Sequence, residues 1–333
     1  MFKRAATQYN LLWAVFLLLG PAPLTNSAWC QSDFAMFLNP RPNDFSAIGG
    51  VESTFYGKQD VEDEDAEVEA FRLEGRVRLM LGKPSSDEWV LSLDALAWDL
   101  DSDAHFDESG KSLPDDLQNY AMGITYRRFL DNDWMWGQHL RLGSASDEPF
   151  HSPDEMYVKG TTFLRIPSGD ANAWLFLLDL DTNREFPVLP GVAYQYVFNR
   201  QLWVVVGIPV FALGWQATES IQVDLSYLPL KNVNASTTWR LTDPLKMRLA
   251  FEWRSDYFKR ADRDEWDDRI EVEEKRGVIG FEYSFTEQLS LGLEGGYAFG
   301  REIGEGDSWD DRRENNIEIE DSWFGGIKLN WRI

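Results

Sequence analysis

Three histidines, His105, His139 and His151, are the side chains with which this sequence could perform general-base chemistry. Ser144 follows His139 by five residues, and a serine becomes a nucleophile when a base lies within hydrogen-bond reach. The two residues have opposite parity, so in an extended strand their side chains leave from opposite faces. Asp147 and His151 form a second acid–base pair, but no further acidic pair accompanies them. We therefore predict no catalytic residues, with a lipid-modifying enzyme that uses His139 or His151 as an alternative.

Acidic clusters are the second feature with possible chemistry. They lie at 62–65, 99–103, 262–268 and 307–311, and their oxygens are ligands that Ca²⁺ or Mg²⁺ prefers. None has the spacing of a calcium-binding loop. The single cysteine, Cys30, excludes a disulfide framework and a cysteine-based zinc site. We predict no metal site and no cofactor, and interpret the clusters as hydrated loops.

The composition combines high acidity with many aromatic residues. The net charge is −24, yet 15 tryptophans are present and 44% of the residues are hydrophobic. Because phosphate binding needs a basic surface, this charge argues against a nucleic-acid partner. The apolar content is too high for a disordered acidic chain.

The N-terminus has the pattern of a secretory signal peptide. Lys3 and Arg4 precede the apolar run Leu11–Leu19, which Gly20 and Pro21 end. The run is shorter than the roughly 20 residues of a spanning helix. We predict a signal peptide at 1–28, a periplasmic N-terminal segment at 29–45 and one domain at 46–333.

Period-two alternation runs through the remaining chain. From Phe71 to Leu81, and again from Leu245 to Trp253, odd positions are apolar or glycine while most even positions are charged. The C-terminal segment repeats the pattern. Each such segment predicts a strand with one apolar and one charged face.

The connections between these strands mostly alternate in length. Tight links are predicted at 130–133, 167–172, 199–201, 242–244 and 286–288, and long acidic links at 57–66, 101–117, 147–155, 259–269 and 301–316. This asymmetry is typical of an outer-membrane barrel with short periplasmic turns. Dividing the segment 202–241 into four strands gives sixteen strands from about Ser46 to Ile333, with fourteen as the alternative count. The four predicted strands are Leu202–Ile208, Phe211–Ala217, Ile221–Tyr227 and Val233–Leu241.

On these features the sequence resembles Gram-negative outer-membrane β-barrels across nearly its whole mature length. Tryptophan and tyrosine at strand ends, such as Trp174, fit the aromatic girdles of such barrels. The resemblance implies an all-β, antiparallel up-and-down transmembrane barrel in the bacterial outer membrane. It also implies contact with outer-membrane lipid and lipopolysaccharide, and recognition of residues 326–333 by the barrel-insertion machinery.

Three short segments are similar to a narrower, uncharacterised family of bacterial barrels with no assigned activity. They are Gly143–Ser152, Pro190–Tyr196 and Gly207–Pro209. This resemblance carries over no functional residues.

Charged residues on the inner face are the predicted pore-lining set. They are Arg72, Glu74, Arg76, Arg78, Arg127, Arg141, Lys159, Arg165, Asp179, Asp181, Arg240, Arg248, Glu252 and Arg254. Such charges need water or partners, and a barrel of this size is expected to hold a water-filled lumen. We therefore predict a passive porin-like channel for small hydrophilic solutes, with small anions favoured by the early arginines. A closed structural or surface-interaction barrel that acts through its acidic loops is the alternative.

Overall fold

The computed structural model describes residues 47–62, 64–82, 87–130, 132–169, 171–228, 232–263 and 265–333. The predicted signal peptide and the predicted N-terminal segment lie outside these described residues. Within the described part of the chain, no helix is long and apolar enough to cross a membrane.

Antiparallel strands make up almost all of the fold. Their bounds are β1 Ala47–Asp60, β2 Glu67–Gly82, β3 Asp87–Ser102, β4 Asp116–Phe129, β5 Met135–Ser146, β6 Met156–Ser168, β7 Asn172–Asp181, β8 Val188–Val197, β9 Leu202–Ile208, β10 Phe211–Gln216, β11 Ile221–Leu228, β12 Asn232–Arg240, β13 Leu245–Phe258, β14 Arg269–Ser284, β15 Leu289–Gly306, β16 Asn316–Ile319 and β17 Ser322–Arg332. In the part of the chain that the structure describes, a short helix, α1, spans Trp309–Glu314 and a 3₁₀ turn spans Pro153–Glu155.

The sheet closes on itself because β17 pairs with β1, with Leu329 opposite Val51. β16 and β17 both pair with β15, one above the other, so the seventeen strands occupy sixteen wall positions. The two chain ends meet on one rim, where the Ala47 amide donates to the Ile333 carbonyl at 2.9 Å. A closed sixteen-position barrel confirms the predicted fold, and sixteen replaces the alternative count of fourteen.

The outer face of the wall is apolar, as the alternation predicts. Leu293 on β15 and Trp323 on β17 are 57% and 76% exposed. By contrast, the next residue on each strand points inward: Glu294 is ion-paired with Lys328, and Phe324 is buried. A continuous band of exposed large apolar side chains is favourable where lipid replaces water. The chain therefore has the architecture of an outer-membrane β-barrel.

The wall is much taller on one side than on the other. β14 and β15 have 16 and 18 residues, but β9 and β10 have 7 and 6. A membrane-spanning strand needs about 9–11 residues, so the tall side extends beyond the outer membrane surface. The predicted loops at 57–66 and 301–316 are corrected accordingly: β1 continues to Asp60 and β15 to Gly306, because the β-ladder continues above the membrane.

Opposite sides of the wall meet at the outer end of the barrel. The Lys259 amide, just after β13, donates to the Ala145 carbonyl of β5 at 2.8 Å, and the Asp147 amide donates to the Lys259 carbonyl at 3.3 Å. Buried apolar side chains fill the space that this contact encloses, and we term them the outer core. Its larger members are Tyr56, Trp98, Phe106, Leu117, Phe258, Ile270, Ile303 and Ile317.

A second apolar cluster lies on the inward face of β5 to β10, mostly near the periplasmic rim. We term it the lumen patch; its members are Met135, Phe163, Ala173, Leu175, Ala193, Val205 and Val210. Alternation predicts apolar side chains on the lipid face and charged ones inside. The lumen patch departs from that scheme, because its members on β7 to β9, Leu175, Ala193 and Val205, are inward and apolar next to outward residues that are also apolar.

Candidate functional site: the ion-paired lumen

The strand register directs every residue of the predicted pore-lining set toward the lumen. Arg72 stands opposite Trp98, Arg141 opposite Lys159, and Arg248 opposite Thr238, each pair on the inward face. That these residues line a conducting path stays a prediction. Their contacts divide these residues into three groups. Two groups lie on parts of the wall that face each other across the lumen, and the third lies along the rest of the circumference.

The first group lies on β2 to β5. Arg76 donates from Nε to Asp94 Oδ1 at 2.8 Å and from a terminal nitrogen to Glu74 at 3.2 Å. Arg72 donates to the other oxygen of Glu74 at 2.8 Å. The Arg141 guanidinium lies 3.8 Å from Asp94. Acidic partners on the same face therefore neutralise the arginines of this wall.

Arg127 and Arg78 complete this wall toward the periplasmic rim. Arg127 donates from Nε to Glu88 at 2.7 Å, and both residues are buried. Arg78 faces inward opposite Ser92.

The second group lies on β13 to β17 and centres on Arg276, which is 1% exposed. Its guanidinium is 2.7 Å from Glu252, 3.1 Å from Glu52 and 3.8 Å from Glu294. Such a buried cation is stable only because several carboxylates share it. Lys328 also lies between two of these carboxylates, at 3.2 Å from Glu52 and 2.7 Å from Glu294.

Two further predicted residues join the second wall. Arg254 donates to Glu274 at 2.6 Å, and Arg248 donates to Glu252 at 2.8 Å. The Tyr56 hydroxyl of β1 also donates to Glu274, at 2.6 Å. Charged side chains on five wall positions, β13, β14, β15, β17 and β1, are therefore joined in one network.

Direct contacts cross from one wall to the other. Arg72 Nε of β2 lies 3.6 Å from Asp256 Oδ2 of β13, and the Trp98 indole nitrogen donates to the same oxygen at 3.3 Å. The Arg72 guanidinium also lies 5.6 Å from the centre of the Trp98 ring, a favourable cation–π distance. The two walls are thus tied together beneath the outer core.

A cavity of about 240 Å³ lies between these tied walls. Arg72, Glu74, Arg76, Glu252 and Arg254 of the predicted set line it on the charged side. Ser226, Asn232 and Asn234 of β11 and β12 add neutral polar groups to the lining, with Asn234 paired to Glu252 across the β12–β13 ladder. Leu228, Val233 and Trp253 add apolar lining. A mixed space of this size can hold several ordered waters or one small solute.

The remaining predicted residues lie farther round the wall. Arg184, from the β7–β8 link, lies 3.3 Å from both Asp179 and Asp181. Arg165 donates to Gln195 at 3.3 Å. Arg240 donates to the Glu219 carbonyl at 2.6 Å near the periplasmic rim, and Lys159 stands opposite Asp181 in the register.

Several members of the network were absent from the predicted set. They are Glu52, Glu88, Asp94, Asp256, Glu274, Arg276, Glu294 and Lys328. Parity on their own strands marks them as inward, so the same alternation rule could have found them. Adding these six acids and two bases changes the ten basic and four acidic residues of the predicted set to twelve basic and ten acidic, so the excess of basic side chains on the inner wall is small.

The links at the outer end of the barrel contact one another above the lumen. We term them the outer lid, which consists of the links at 103–115, 147–155 and 259–268 together with α1. Arg260 donates to both oxygens of Glu305, at 2.6 and 2.9 Å, and to the Ser112 carbonyl at 3.1 Å. The Lys259 ammonium donates to the Asp154 carbonyl at 2.7 Å. Burial, with Arg263 and Arg269 nearby, lowers the pKa of Lys259. The lid therefore joins links that are far apart in sequence.

The histidines occupy unrelated positions. His139 Nδ1 lies 2.8 Å from the Thr125 hydroxyl inside the barrel, and His151 lies 3.0 Å from Glu148 in the lid. The Ser144 hydroxyl donates to the Glu155 carbonyl, at 3.4 Å. His139 and Ser144 leave from opposite faces of β5, as their parity predicts.

Comparisons with known proteins give a family and a fold. A family model described as "Domain of unknown function (DUF6268)" matches residues 44–313. No curated protein matches the chain.

Solved structures with a similar fold include outer-membrane barrels. One is the COG4313 outer membrane channel from Pseudomonas putida F1, at 11% identity and a TM-score of 0.37, covering 89% of this chain and 99% of that one. Another is the Pseudomonas putida toluene transporter TodX, at 10% identity and 0.35, covering 92% and 95%. The β domain of the Bordetella autotransporter BrkA has 11% identity and 0.33, covering 86% and 100%. At these values the similarity concerns the barrel fold alone.

Proposed function

We propose that this chain, which belongs to the family described as "Domain of unknown function (DUF6268)", is a passive outer-membrane channel for small hydrophilic solutes. The observation that carries the proposal is the cavity between the tied walls, which is lined by charged groups of both signs together with Ser226, Asn232 and Asn234. A barrel that served only as a scaffold would gain more stability from apolar packing at these positions. Charges placed around a polar space instead suit a hydrated path.

The conformation of the lid and of the tied walls represents a closed state of this channel. Arg260 in the lid and the Arg72–Asp256 contact across the lumen both narrow the path. Opening requires these contacts to separate while the wall ladders stay intact. Because both signs of charge line the cavity, zwitterions and small neutral polar molecules suit it as well as anions do.

The setting of this channel follows from the same proposal. The protein is exported through the signal peptide at 1–28 and inserted with the help of residues 326–333. Its apolar belt then contacts outer-membrane lipid and lipopolysaccharide. No catalytic step, metal or cofactor is part of its function.

Recording from purified protein in planar bilayers tests the proposal. We expect discrete conductance steps that are rare in the native protein and more frequent in Arg260→Ala, which loses the lid contact to Glu305. Absence of any step in both proteins, across voltage, pH and salt, would overturn the channel function.

A second candidate is a closed surface-interaction barrel, which the interlocked lid specifically favours. The outer core and the lid together close the tall side of the barrel. Replacing the link at 307–315 with a short glycine–serine turn tests this candidate. Loss of cell-surface binding without any change in conductance would favour it over the channel.

A further inference from the structure

The cavity between the tied walls is lined by ion pairs whose members keep an exposed side. Glu74 and Arg76 contact each other at 3.2 Å, yet their side chains are 28% and 26% exposed. Asp256, which contacts Arg72 from the facing wall, is 21% exposed. All four side chains line the cavity. A molecule in the cavity therefore meets accessible carboxylates and an accessible guanidinium next to one another.

Three guanidinium groups of the lining keep a hydrogen-bond donor that no described residue accepts. The donors are Arg72 Nη1, Arg254 Nη2 and Arg276 Nη1, and each of the three side chains lines the cavity. A buried donor without an acceptor is unfavourable, and a carboxylate offers about four lone-pair sites to such donors. These guanidiniums therefore favour a ligand that contains a carboxylate.

Ion pairs nevertheless compensate the basic side chains of the lining. Five bases line the cavity, and four carboxylates line it with them. Behind the lining, Glu274 contacts Arg254 at 2.6 Å and Glu294 contacts Lys328 at 2.7 Å. Because these two carboxylates offset the single excess base, a ligand with negative charge alone gains little from the site. The carboxylate of a suitable ligand needs a positive group beside it.

An apolar contact is available in the same cavity. Leu228, the last residue of β11, lines the cavity and is only partly buried. Contact with a short aliphatic group removes more of this apolar surface from water. The volume of about 240 Å³ accommodates a solute of amino-acid size, since one water needs only about 10–15 Å³ of such space.

We propose that this cavity is a binding site for a small zwitterion with a short aliphatic side chain, which is the chemistry of an aliphatic amino acid. The carboxylate of the ligand binds Arg76 and Arg254, and its ammonium group binds Glu74 and Asp256. Its side chain contacts Leu228. The inference rests on the proposed function in that the cavity belongs to the same path, but binding is measurable without conduction.

Binding of four probes to the native, full-length protein in detergent micelles tests the proposal. Leucine carries both charges, isocaproate lacks the ammonium group, isoamylamine lacks the carboxylate, and isocaproamide carries no charge. Equilibrium dialysis with labelled leucine, and with each other probe as a competitor, gives the affinities. We expect leucine to bind at least tenfold more tightly than each of the others. Affinities within threefold of one another, or tighter binding of a singly charged probe, would overturn the proposal.

Substitution of Glu74 tests the charged end of the site. Glu74→Gln removes one partner of the ammonium group, so the affinity for leucine should fall at least fivefold while isocaproate binds no more weakly. A parallel loss of affinity for both probes would contradict the assigned contact between Glu74 and the ammonium group.

Substitution of Leu228 tests the apolar contact. Leu228→Asn should weaken leucine binding at least fivefold and leave glycine binding unchanged. Leu189→Asn is the matched control, because Leu189 on β8 also faces inward and is partly buried, but lies outside the cavity lining. Heat-modifiable gel mobility verifies that each variant is folded. An equal loss of leucine affinity in Leu228→Asn and Leu189→Asn would contradict the site.

The failure of this site and the failure of the channel are distinguishable. Selective leucine binding to a protein that shows no conductance step would support the site and contradict the channel. Conductance steps from a protein that binds all four probes equally would contradict the site alone.

Discussion

Arg72 on β2 and Asp256 on β13 meet inside the barrel, with Nε 3.6 Å from Oδ2, although five wall positions separate their strands. In a circular barrel of sixteen positions, strands that far apart would be roughly 25 Å from each other. The contact therefore requires a flattened cross-section on this side. It explains how a wide barrel can have a packed outer core above a small polar cavity.

Asp256→Asn is expected to weaken this tie. Arg72 is 3% exposed and keeps Glu74 as a partner, so the loss of one carboxylate should cost about 2 kcal/mol of stability. The midpoint of urea unfolding in detergent micelles measures the change. Asp87→Asn is the matched control, because Asp87 lies at the same 3.6 Å from Arg128 but both side chains are about half exposed. Equal effects in both variants would contradict the role of the cross-lumen contact.

Arg260→Ala is expected to loosen the outer lid. Its guanidinium loses both Glu305 oxygens and the Ser112 carbonyl, so the link at 259–268 should become accessible to protease added outside intact cells. We expect at least a fivefold faster cleavage. Arg313→Ala is the control, since Arg313 lies over Trp309 within α1 at 4.8 Å. Unchanged cleavage in Arg260→Ala would show that other contacts hold the lid.

Gly214→Ala is expected to displace the Trp203 side chain. The two residues are paired across β9 and β10, and a Cβ at Gly214 would lie 2.5 Å from the indole. Overpacking of this kind costs about 1–3 kcal/mol, which heat-modifiable gel mobility should show as a lower transition temperature. Gly325→Ala is the control, because a Cβ there meets no atom within 4 Å. Equal unfolding temperatures for Gly214→Ala and Gly325→Ala would contradict the close packing of Trp203 against Gly214.

Leu249→Arg is expected to impair insertion of the barrel. Leu249 is 47% exposed on the outer face of β13, and a charge facing lipid costs about 2–4 kcal/mol at mid-membrane. Ser236→Arg on the neighbouring strand β12 faces inward near Asp224 and should be tolerated. The yield of folded protein in the outer-membrane fraction distinguishes the two. A lower yield for Ser236→Arg than for Leu249→Arg would reverse the assignment of faces.

The barrel could be predicted from the sequence because alternation is strong where one face is charged. On β2 the inward arginines and the outward leucines give an unambiguous register, and the same is true of β13. The four strands between Leu202 and Arg240 also lie within one residue of the predicted bounds. Turn residues such as Pro209 mark those boundaries directly.

The partners of the charged residues could not be predicted in the same way. Parity shows that Arg72 and Asp256 face inward, but only the flattening of the barrel brings them together. Likewise, the Arg260–Glu305 contact depends on how two separate links fold over the lumen. On β7, Leu175 and Trp174 make both faces apolar, so no pattern distinguishes the lumen patch from the lipid face.

Single-channel recording in planar bilayers distinguishes a channel from a permanently closed barrel. We expect discrete steps in the native protein and a higher open probability in Asp256→Asn and Arg260→Ala, because each variant loses a contact that closes the path. Folded protein, verified by heat-modifiable mobility, that shows no step in any of the three forms would contradict the channel function.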